Sequence, residues 1–484
     1  MGILMLAATM GSCSDNDDPT PNPGAAYTWT TDGGIKACDH LLFGEDGKDN
    51  AEGTVIGNGD QELVFKGKQT IKKGVYTLKG WIYIADGSEL TIEPGTIIKG
   101  DKATKAVLIV ERGGKLIAQG AADAPIVFTS AQPAGQRRPG DWGGVIICGK
   151  AHNNQTSMQI EGGPRTQHGG DNDADNSGVL SYVRIEFGGF PFKADQEING
   201  LTLGSVGKGT KIDHVQVSYS NDDSYEWFGG TVDCKYLIAY KGWDDDFDTD
   251  NGFSGHVQYG LSIRDPKIAD KSMSNGFESD NNAKGTNADP HTSAVFSNIT
   301  FVGPKMGDKN FVNDASYITA GAYNPNNGSG LGRFQSGMQI RRDSHLSCFN
   351  SVVVGWPVGL IVDKQLGDCQ GAATNGLLKL QNLWFANLDA IGTDENKVLT
   401  DPNNESFSAK FFLAQPGNKY SASADGWFDV TGYRPTAASP LLSAASFTDA
   451  LLAGFEKVAY VGAFGNGADW TANWTNFDPQ NTQY

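Results

Sequence analysis

The sequence is poor in the groups that mark several large classes of protein. Only 19% of its 484 residues are charged, and 38 lysines and arginines stand against 56 aspartates and glutamates, a net charge of −18. Phosphate binding needs clustered basic side chains, so we expect no nucleic-acid partner. Seven histidines and six cysteines are present. No CxxC pair occurs and no two histidines stand at ligand spacing, so the sequence shows no zinc pattern.

Long apolar runs are also absent. Beyond the N-terminal segment, no run reaches the roughly 20 residues that a membrane-spanning helix needs. The N-terminal segment MGILMLAATMGSC resembles a lipoprotein signal peptide with Cys13 as the lipidated residue. The acidic, proline-rich CSDNDDPTPNPG that follows predicts a disordered tether. We therefore expect a signal peptide at 1–12, a tether at 13–24 and a lipid on Cys13 as the only membrane attachment.

With Cys13 lipidated, an odd number of cysteines remains, and these cannot all pair within one chain. Cys148 in VIICGK and Cys234 in VDCKYL lie in strand-like runs, where we expect small buried side chains. The sequence does not decide the pairing among Cys38, Cys148, Cys234, Cys348 and Cys369, and Cys348 with Cys369 is one possible pair.

Glycine, by contrast, is abundant, with 63 residues, and it punctuates a short repeat. Each copy has apolar residues at its first, fourth and sixth positions. The central positions are Val183, Val215, Leu237, Leu261, Ile299, Val352 and Leu383. The shortest steps run from Val215 to Leu237 and from Leu237 to Leu261, and the longer steps fit that unit with an insertion. An N-terminal version, DGSELTIEPGTIIKG and RGGKLIAQGAADAPIVF, places Leu90 and Leu116 one similar step apart.

This short period, with its short strands and turn residues, predicts an all-β fold, a right-handed parallel β-helix. Each coil would have three short strands stacked on the next coil at about 4.8 Å. A β-propeller is the main alternative, but a blade needs about 40 residues, which is longer than the shortest steps. A leucine-rich repeat would show LxxLxLxxN, which is absent.

The two ends of a solenoid expose sheet edges that need cover. We expect the β-helix at 76–390, an N-terminal cap at 25–75 and a mixed C-terminal cap at 391–484. Within the C-terminal cap, SPLLSAASFTDALLAGF predicts a helix with one apolar face.

Five stretches within residues 76–390 carry a family resemblance, and these are GSELTIEPGTIIKG, PIVFTS, GDWGGVIICGKA, LSYVRIEFGG and DDSYEWFGGTV. Together with the ending YVGAFGNGADWTANWTNFDP, they resemble the right-handed β-helix surface lipoproteins of Bacteroidetes. The acids directly after Cys13 resemble the surface-export signal of such lipoproteins. The resemblance implies the β-helix and an outer-membrane location facing the cell exterior, but little about activity.

Two acidic stretches, SNDDSYEW at 220–227 and GWDDDFDTDN at 242–251, align with each other at an offset of one predicted coil. The offset stacks three pairs of acids, Asp222 over Asp244, Asp223 over Asp245 and Glu226 over Asp248. Phe277-Glu278 in SNGFESDN repeats the aromatic–acid dipeptide and would make a third rung. Stacked carboxylates about 5 Å apart repel by roughly 3 kcal/mol per pair at an effective dielectric near 20.

Such repulsion needs relief, and the sequence leaves several routes open. A bound Ca²⁺ would suit carboxylate and carbonyl oxygens, proton sharing would raise one pKa of a pair, and Lys, Arg or backbone N–H groups could partner the acids. The acids could instead project into solvent from turns, or act as catalytic carboxylates. The candidate metal ligands are Asp222, Asp223, Glu226, Asp244, Asp245, Asp246, Asp248, Glu278 and Asp280.

Aromatic residues flank the acids. Core packing is one role for them, but exposed rings beside carboxylates would stack on the apolar face of a sugar while the acids bind its hydroxyls. The candidate ligand-binding residues are Tyr225, Trp227, Trp243 and Trp142.

An enzymatic function would require catalytic groups in addition to ligand-binding residues. A hydrolase needs two carboxylates at a defined separation, and a lyase needs a base that abstracts a proton. Lys241, His256 and Arg264 are near the acids in sequence, but nothing singles out one of them. The polygalacturonase-like motifs are incomplete, because the NTD is missing and both the GHG and the RIK are altered.

These observations favour a lipid-anchored surface protein that binds a glycan or a partner protein, with Ca²⁺ as the expected cofactor and catalytic residues left unassigned. A polysaccharide lyase or glycoside hydrolase acting on an acidic polysaccharide is the alternative, and a structural surface protein or adhesin is a third. Insertions near 266–293 and 303–345 are where binding loops are expected.

Overall fold

The computed structural model describes residues 27–48, 50, 52–155, 158–161, 165–193, 196–315, 317–318, 332–429, 431, 433–467 and 469–484. The predicted signal peptide, the tether and Cys13 lie outside the described residues. No helix in the described part of the chain is long and apolar enough to span a bilayer.

Short strands dominate the secondary structure. In chain order the strands are β1 (Trp29–Asp32), β2 (Ile35–Cys38), β3 (Leu42–Phe43), β4 (Val55–Ile56), β5 (Glu62–Phe65), β6 (Lys68–Ile71), β7 (Val75–Leu78), β8 (Trp81–Ile84), β9 (Glu89–Ile92), β10 (Ile97–Gly100), β11 (Val107–Val110), β12 (Lys115–Gln119), β13 (Ile126–Ser130), β14 (Gly144–Cys148), β15 (Met158–Gln159), β16 (Gln167–His168), β17 (Gly178–Glu186), β18 (Pro191–Lys193), β19 (Gln196–Glu197), β20 (Leu201–Val206), β21 (Lys211–Ser218), β22 (Tyr225–Gly230), β23 (Cys234–Tyr240), β24 (Phe247–Asp250), β25 (His256–Ile263), β26 (Phe277–Ser279), β27 (Val295–Val302), β28 (Ser336–Ile340), β29 (Ser347–Phe349), β30 (Val352–Val354), β31 (Val358–Val362), β32 (Leu380–Gln381), β33 (Trp384–Ala386), β34 (Ala390–Thr393) and β35 (Lys419–Ser421). The α-helices are α1 (Pro304–Gly307), α2 (Cys369–Thr374) and α3 (Phe407–Ala414).

The strands wind into a right-handed parallel β-helix, which confirms the predicted fold class. A 13-stranded sheet, here called sheet 1, forms one face in the order β1, β2, β5, β8, β11, β14, β20, β22, β24, β26, β28, β31 and β34. A second sheet of 18 strands wraps around a corner to form the rest of the coil wall. It does so because long strands such as β17 pair first with β12 and then, after a bend, with β13.

The corner of the second sheet is marked by a column of residues with positive φ. Tyr182, His214, Tyr236 and Tyr259 have φ between 50° and 64°, a left-handed conformation that bulky residues seldom adopt. Their rings stack with centroids 4.3, 4.4 and 4.8 Å apart. This stacking between coils offsets the backbone strain at the bend.

The strand register confirms much of the predicted repeat. Leu90 pairs with Leu116, Val183 with Val215, and Val215 with Leu237. All five side chains are buried in the core that runs along the inside of the coils. The period therefore identifies the stacking unit of the solenoid.

The predicted alignment of the repeat is wrong by one residue at two of its central positions. Leu237 pairs with Gly260 rather than Leu261, and Val352 pairs with Thr300. Leu261 and Val352 are buried in a second cluster outside the coil, under the C-terminal residues. Because both faces of these strands are covered, apolar residues do not mark the inward face alone.

Parallel pairing extends beyond the interval 76–390, from β2 with β5 to β33 with β35. The antiparallel strand β1 covers the N-terminal edge of sheet 1. At the other end, α3 begins at the N-cap Ser406, whose side chain accepts a hydrogen bond from the N–H of Ala409 at 3.1 Å. Phe412 of α3 stacks on Phe385 at 4.0 Å between ring centroids and closes the last coil.

The helix predicted in SPLLSAASFTDALLAGF does not form. The segment makes only two 3₁₀ turns, Pro440–Ser443 and Ala450–Leu452. The side chains of Ser439 and Asp449 accept hydrogen bonds from backbone N–H groups two residues later, at 3.3 and 3.0 Å. Such local bonds compete with helix propagation, and the apolar residues pack against the flank of the coils instead.

The last part of the chain, here called the C-terminal strap (residues 433–467 and 469–484), runs back along the outside of the second sheet. It lies along the side of the coils rather than over their end. Its hydrogen bonds are made to progressively earlier coils along the strap. Gly462 N–H donates to Asn350 O and Asn476 N–H donates to Gln216 Oε1, each at 2.8 Å. At the far end, Lys99 Nζ donates to Tyr484 O at 2.8 Å.

The five cysteines in the described part of the chain are buried, four of them inside the coils and Cys148 in a cluster on the outer face of sheet 1. Cys148 and Cys234 are buried free thiols, as expected from their strand-like surroundings. Cys348 and Cys369 are also buried free thiols, so they do not pair with each other.

Candidate functional site

Three successive strands of sheet 1, β22, β24 and β26, carry a ladder of outward-facing acids. Their register pairs Glu226 with Asp248 and Asp248 with Glu278, which confirms the predicted stacking and its third rung. Tyr225 and Phe247, which precede two of these acids, are buried in the core. Successive side chains of a strand point to opposite faces, so each aromatic–acid dipeptide supplies both a core residue and an outward carboxylate.

The turns before these strands hold a second column. The backbone N–H of Asp245 donates to Asp223 Oδ1 at 2.8 Å, and the N–H of Asn275 donates to Asp245 Oδ1 at 2.5 Å. The predicted stack of Asp223 and Asp245 is confirmed, and an asparagine occupies the third coil. Each of these two carboxylates therefore gains one backbone donor from the next coil.

The two columns merge into a single group of carboxylates, here called the acid cluster. Ligand oxygens lie within 4.8 Å of one another in three overlapping sets, which are Asp222, Asp223 and Asp244; Asp223, Glu226 and Asp248; and Asp245, Asp248 and Glu278. Because the sets share Asp223 and Asp248, they form a continuous line across three coils. This arrangement offers more than one place for a cation.

Two predicted metal ligands are neutralised by arginines instead. Arg264 Nη1 lies 2.8 Å from Asp246 Oδ1, and both side chains are fully buried. Asp280 accepts from Arg341 Nε at 2.8 Å and from Arg342 Nη1 at 2.6 Å. Asp246 and Asp280 therefore belong to none of the three sets of the acid cluster, and their charges are balanced by side chains that the coil winding brings beside them.

One member of the acid cluster also has an arginine partner. Arg341 Nη2 forms an ion pair with Glu278 Oε1. The guanidinium therefore balances the charge of the carboxylate that the third coil contributes to the cluster. The first two coils keep the excess of negative charge.

Burial and mutual repulsion together raise the pKa of the acids at this site. Burial is the largest cause for each, and repulsion between neighbouring carboxylates adds to it. The pKa is raised well above its ordinary value for Asp223, Glu226, Asp244, Asp245 and Asp248, and to about 8 for Glu278 and for the adjacent Asp250. Without a cation, the cluster therefore retains protons at neutral pH.

We expect the melting temperature in EDTA to fall as the pH rises from about 5 to about 9. The folded carboxyls hold protons more tightly than unfolded ones, whose pKa is about 4. Their favourable contribution is therefore complete below that value and is lost as the pH rises through the folded pKa, about 8 for Glu278 and Asp250. Differential scanning calorimetry across this range measures the effect.

The matched control for this pH effect is Asp248→Asn, which removes one charge from the middle of the line. It should flatten the decline of melting temperature with pH in EDTA. Millimolar Ca²⁺ should likewise raise the melting temperature most at the alkaline end. A wild-type melting temperature that is constant or rises over this range would contradict a protonated cluster.

Several buried oxygens around the acid cluster lack a hydrogen-bond partner. Asn199 donates through Nδ2 to Glu226 Oε2, while its Oδ1 has no partner among the described residues. The same holds for Asp248 Oδ1 and for Thr202 Oγ1, and Thr202 pairs with Glu226 in the register. Ca²⁺ prefers six to eight oxygen ligands from carboxylates and carbonyls. These residues fit such an ion, since the donor set is all oxygen and contains unsatisfied acceptors.

A cleft of about 590 Å³ adjoins the acid cluster. Asp250, two residues after Asp248 on β24, lines it, and so does Glu161, whose repulsion adds to burial in raising the pKa of Glu226. The other polar side chains of the cleft are mainly amides, with one lysine and one threonine, and these are Asn154, Gln155, Gln159, Asn251, Asn282, Lys284 and Thr286. Amides and a cation in a concave site suit the hydroxyls and acidic groups of a sugar chain.

The amides of the cleft were not predicted from the sequence. Two segments bring them together, because Asn154 Nδ2 donates to Asn281 O at 2.7 Å and to its Oδ1 at 3.0 Å. The lining residues 282–288 fall within the insertion expected near 266–293. The length of that step was thus the only available signal, since an isolated asparagine in a loop indicates nothing by itself.

Comparison with known proteins supports the architecture around this site. The sequence model of the family described as "Pectate-lyase like beta helix domain" matches residues 63–430. The chain belongs to this family. The matched interval of this pectate-lyase-like β-helix domain contains the whole acid cluster and the adjoining cleft.

A solved structure is also similar to this pectate-lyase-like β-helix. It is described as the crystal structure of pectate lyase Pel9A, with a TM-score of 0.35 and 15% sequence identity, and the alignment covers 84% of this chain and 88% of that chain. No curated protein matches the sequence.

The four aromatic residues predicted to bind ligand are buried, three of them inside the coils and Trp243 in the second cluster under the C-terminal residues, so that assignment is wrong. Their side chains have no more than 1% of their surface exposed, and they are Trp142, Trp227, Trp243 and Tyr225. Trp142 donates through Nε1 to Glu186 O at 2.8 Å. Tyr225 donates through its hydroxyl to Val215 O at 2.7 Å. A sugar cannot stack on rings that are enclosed in this way.

The three basic residues considered as catalytic bases lie in separate surroundings. Lys241 Nζ is 3.3 Å from Asp265, and His256 Nδ1 is 3.5 Å from Asp233. Arg264 forms the buried ion pair already described. Each is thus engaged with an acid outside the acid cluster.

Proposed function

We propose that the protein binds an acidic polysaccharide through Ca²⁺ in the acid cluster and through the amides of the adjoining cleft. The supporting observation is the continuity of these two features, since Glu161 and Asp250 belong to the cleft and lie beside the ladder acids. We further propose that a lipid on Cys13 holds the protein at the outer membrane, facing the cell exterior.

A cation is central to this proposal because of the charge balance. The chain has a net charge of −18, and its cleft lies beside a line of carboxylates, so an acidic glycan would be repelled. Ca²⁺ bound to Asp223, Glu226 or Asp248 would offset much of the local negative charge and could accept further oxygen ligands from the glycan. Lys284, which also lines the cleft, adds one positive charge.

We expect binding of acidic polysaccharides, tested with polygalacturonate, alginate and chondroitin sulfate, to require Ca²⁺. EDTA or Asp248→Asn should weaken binding more than about tenfold, because loss of one carboxylate ligand costs at least about 1.4 kcal/mol. Lys284→Gln should weaken it about fivefold, the effect of an exposed charge pair of about 1 kcal/mol. Isothermal titration calorimetry with each glycan measures these changes.

Lys457→Gln is the matched control, because this lysine is exposed on the C-terminal strap, away from the cleft. It should leave the affinity unchanged. Tight binding that persists in EDTA, or an equal loss in Lys457→Gln and Lys284→Gln, would refute a calcium-dependent site in the cleft.

A polysaccharide lyase is the second candidate, since the chain belongs to the pectate-lyase-like family and Arg341 lies against an acid of the cluster. A lyase needs a base that abstracts a proton. Arg341 and Arg342 remain protonated in ion pairs with Asp280, which favours binding over cleavage. Release of unsaturated uronate products from the same glycans in Ca²⁺ would overturn the binding-only proposal.

A further inference from the structure

Two histidines that are far apart in the sequence meet in neighbouring coils. His291 precedes β27 and His345 precedes β29, and these strands pair with Val295 opposite Ser347. The backbone N–H of His345 donates to Thr292 O at 2.8 Å. The two imidazole rings are parallel within 8° and their centroids are 4.2 Å apart.

A carboxylate completes the group. Asp343 Oδ2 is 3.4 Å from His291 Nε2, while its Oδ1 accepts a hydrogen bond from the N–H of Asp368 at 3.1 Å. One oxygen is therefore held by the backbone and the other is directed toward the histidines. Ligand atoms of His291, Asp343 and His345 all lie within 4.8 Å of one another.

A second carboxylate orients one of the rings. Asp289 Oδ1 lies 2.6 Å from His291 Nδ1, a distance that favours the tautomer in which this nitrogen carries the proton and donates it to the carboxylate. The Nε2 lone pair then faces Asp343 and the second ring. A carboxylate on the far nitrogen is the usual support of a histidine that binds metal, because it fixes the tautomer and makes the ligand more basic.

We propose that His291, His345 and Asp343 form a binding site for a divalent transition-metal ion of the zinc class, separate from the acid cluster. Imidazole nitrogens favour Zn²⁺ and its neighbours, whereas Ca²⁺ takes oxygen ligands. Zn²⁺ ligands at about 2.0–2.1 Å in a tetrahedral arrangement lie about 3.4 Å from one another. Binding requires the two parallel rings to tilt until their in-plane lone pairs converge on the ion, and the fourth position is left to solvent.

The location gives such an ion a structural role beside the cleft. Residues 282–288 line the cleft, and His291 ends the same loop, whereas Asp343 and His345 belong to the next coil. The side chains of His291 and Asp343 are 20% and 12% exposed, so an ion can enter from solvent. Zn²⁺ bound there would fasten the loop wall of the cleft to the coil beside it.

The test is a Zn²⁺ titration of the full chain, purified without a histidine tag and stripped with EDTA. Competition with a chromogenic chelator, in excess Ca²⁺ to occupy the acid cluster, should reveal one Zn²⁺ equivalent in the wild type. His291→Gln and His345→Gln should each weaken its binding at least about tenfold, and Asp289→Asn should weaken it by about 10- to 100-fold through loss of ring orientation.

His256→Gln is the matched control, because His256 also lies beside an acid, Asp233 at 3.5 Å, but belongs to no such group among the described residues. It should bind Zn²⁺ as the wild type does. X-ray absorption of the Zn²⁺-loaded wild type, which needs no variant to fold, should show two imidazole nitrogens. Absence of a Zn²⁺ equivalent, an all-oxygen shell, or equal affinity in the wild type and both histidine variants would overturn the proposal.

Discussion

Replacing Arg264 with methionine is expected to lower the free energy of unfolding by about 3–5 kcal/mol. Arg264 and Asp246 are 0% exposed, and their atoms are 2.8 Å apart. Loss of the guanidinium leaves a buried carboxylate without a counter-ion, and it also removes donors to Asp244 O at 2.7 Å and Trp243 O at 3.2 Å. Chemical denaturation followed by circular dichroism measures the loss.

The pH dependence identifies the cause of this destabilisation. Burial, opposed by Arg264, raises the pKa of Asp246 to about 6. Without Arg264 that pKa rises further, so the variant should be less impaired at about pH 5, where Asp246 accepts a proton, than at about pH 8. Arg264→Met combined with Asp246→Leu should recover part of the stability, because no buried charge is then left alone.

Lys410→Met is the control, since Lys410 and its partner Glu405 are 60% and 72% exposed. An exposed ion pair contributes at most about 1 kcal/mol. If Arg264→Met were as mild as Lys410→Met, the buried pair would not be the structural element inferred here.

Replacing Trp227 with alanine is also expected to lower the free energy of unfolding by about 3–5 kcal/mol. Its ring is fully buried and stacks on Phe253 and Tyr225 with centroids 5.3 and 5.8 Å apart. The variant loses the buried apolar surface and leaves a cavity in the core beneath the acid cluster. Denaturation curves of Trp227→Ala and of the control Leu377→Ala, whose side chain is 56% exposed, give the comparison.

Trp227→Phe separates core packing from ligand binding. The smaller ring keeps part of the stack, so the folded protein should bind glycan with the affinity of the wild type. A large loss of glycan affinity in a stably folded Trp227→Phe variant would mean that the indole touches the ligand, contrary to its burial.

The acid ladder could be predicted because it depends only on coil length. The offset of one coil between Tyr225-Glu226 and Phe247-Asp248 gives the register directly. The alternation of side chains between the two faces of a strand also predicts where Trp227 lies. Because Trp227 is adjacent to Glu226, an outward Glu226 requires an inward Trp227, and the burial of this tryptophan follows from parity.

Other parts of the site could not be predicted, because insertions change the spacing between coils. The step in sequence from Asp248 to Glu278 is longer than the step from Glu226 to Asp248. The next step, from Glu278 to its partner Gln339, is about double the step from Asp248 to Glu278. An insertion of this size hides which side chains become neighbours. The ion pair of Arg341 with Glu278 and the meeting of His291 with His345 both depend on this region.

The C-terminal strap has a consequence for the order in which the molecule is completed. A solenoid can fold coil by coil, since each coil contacts only its neighbours. Here Tyr484, at the far end of the strap, accepts a hydrogen bond from Lys99 Nζ and donates one to Glu186 in early coils. The outer face of those coils therefore stays uncovered until the strap has been synthesised, and closing so long a loop links the unfolding of the first coils to that of the last.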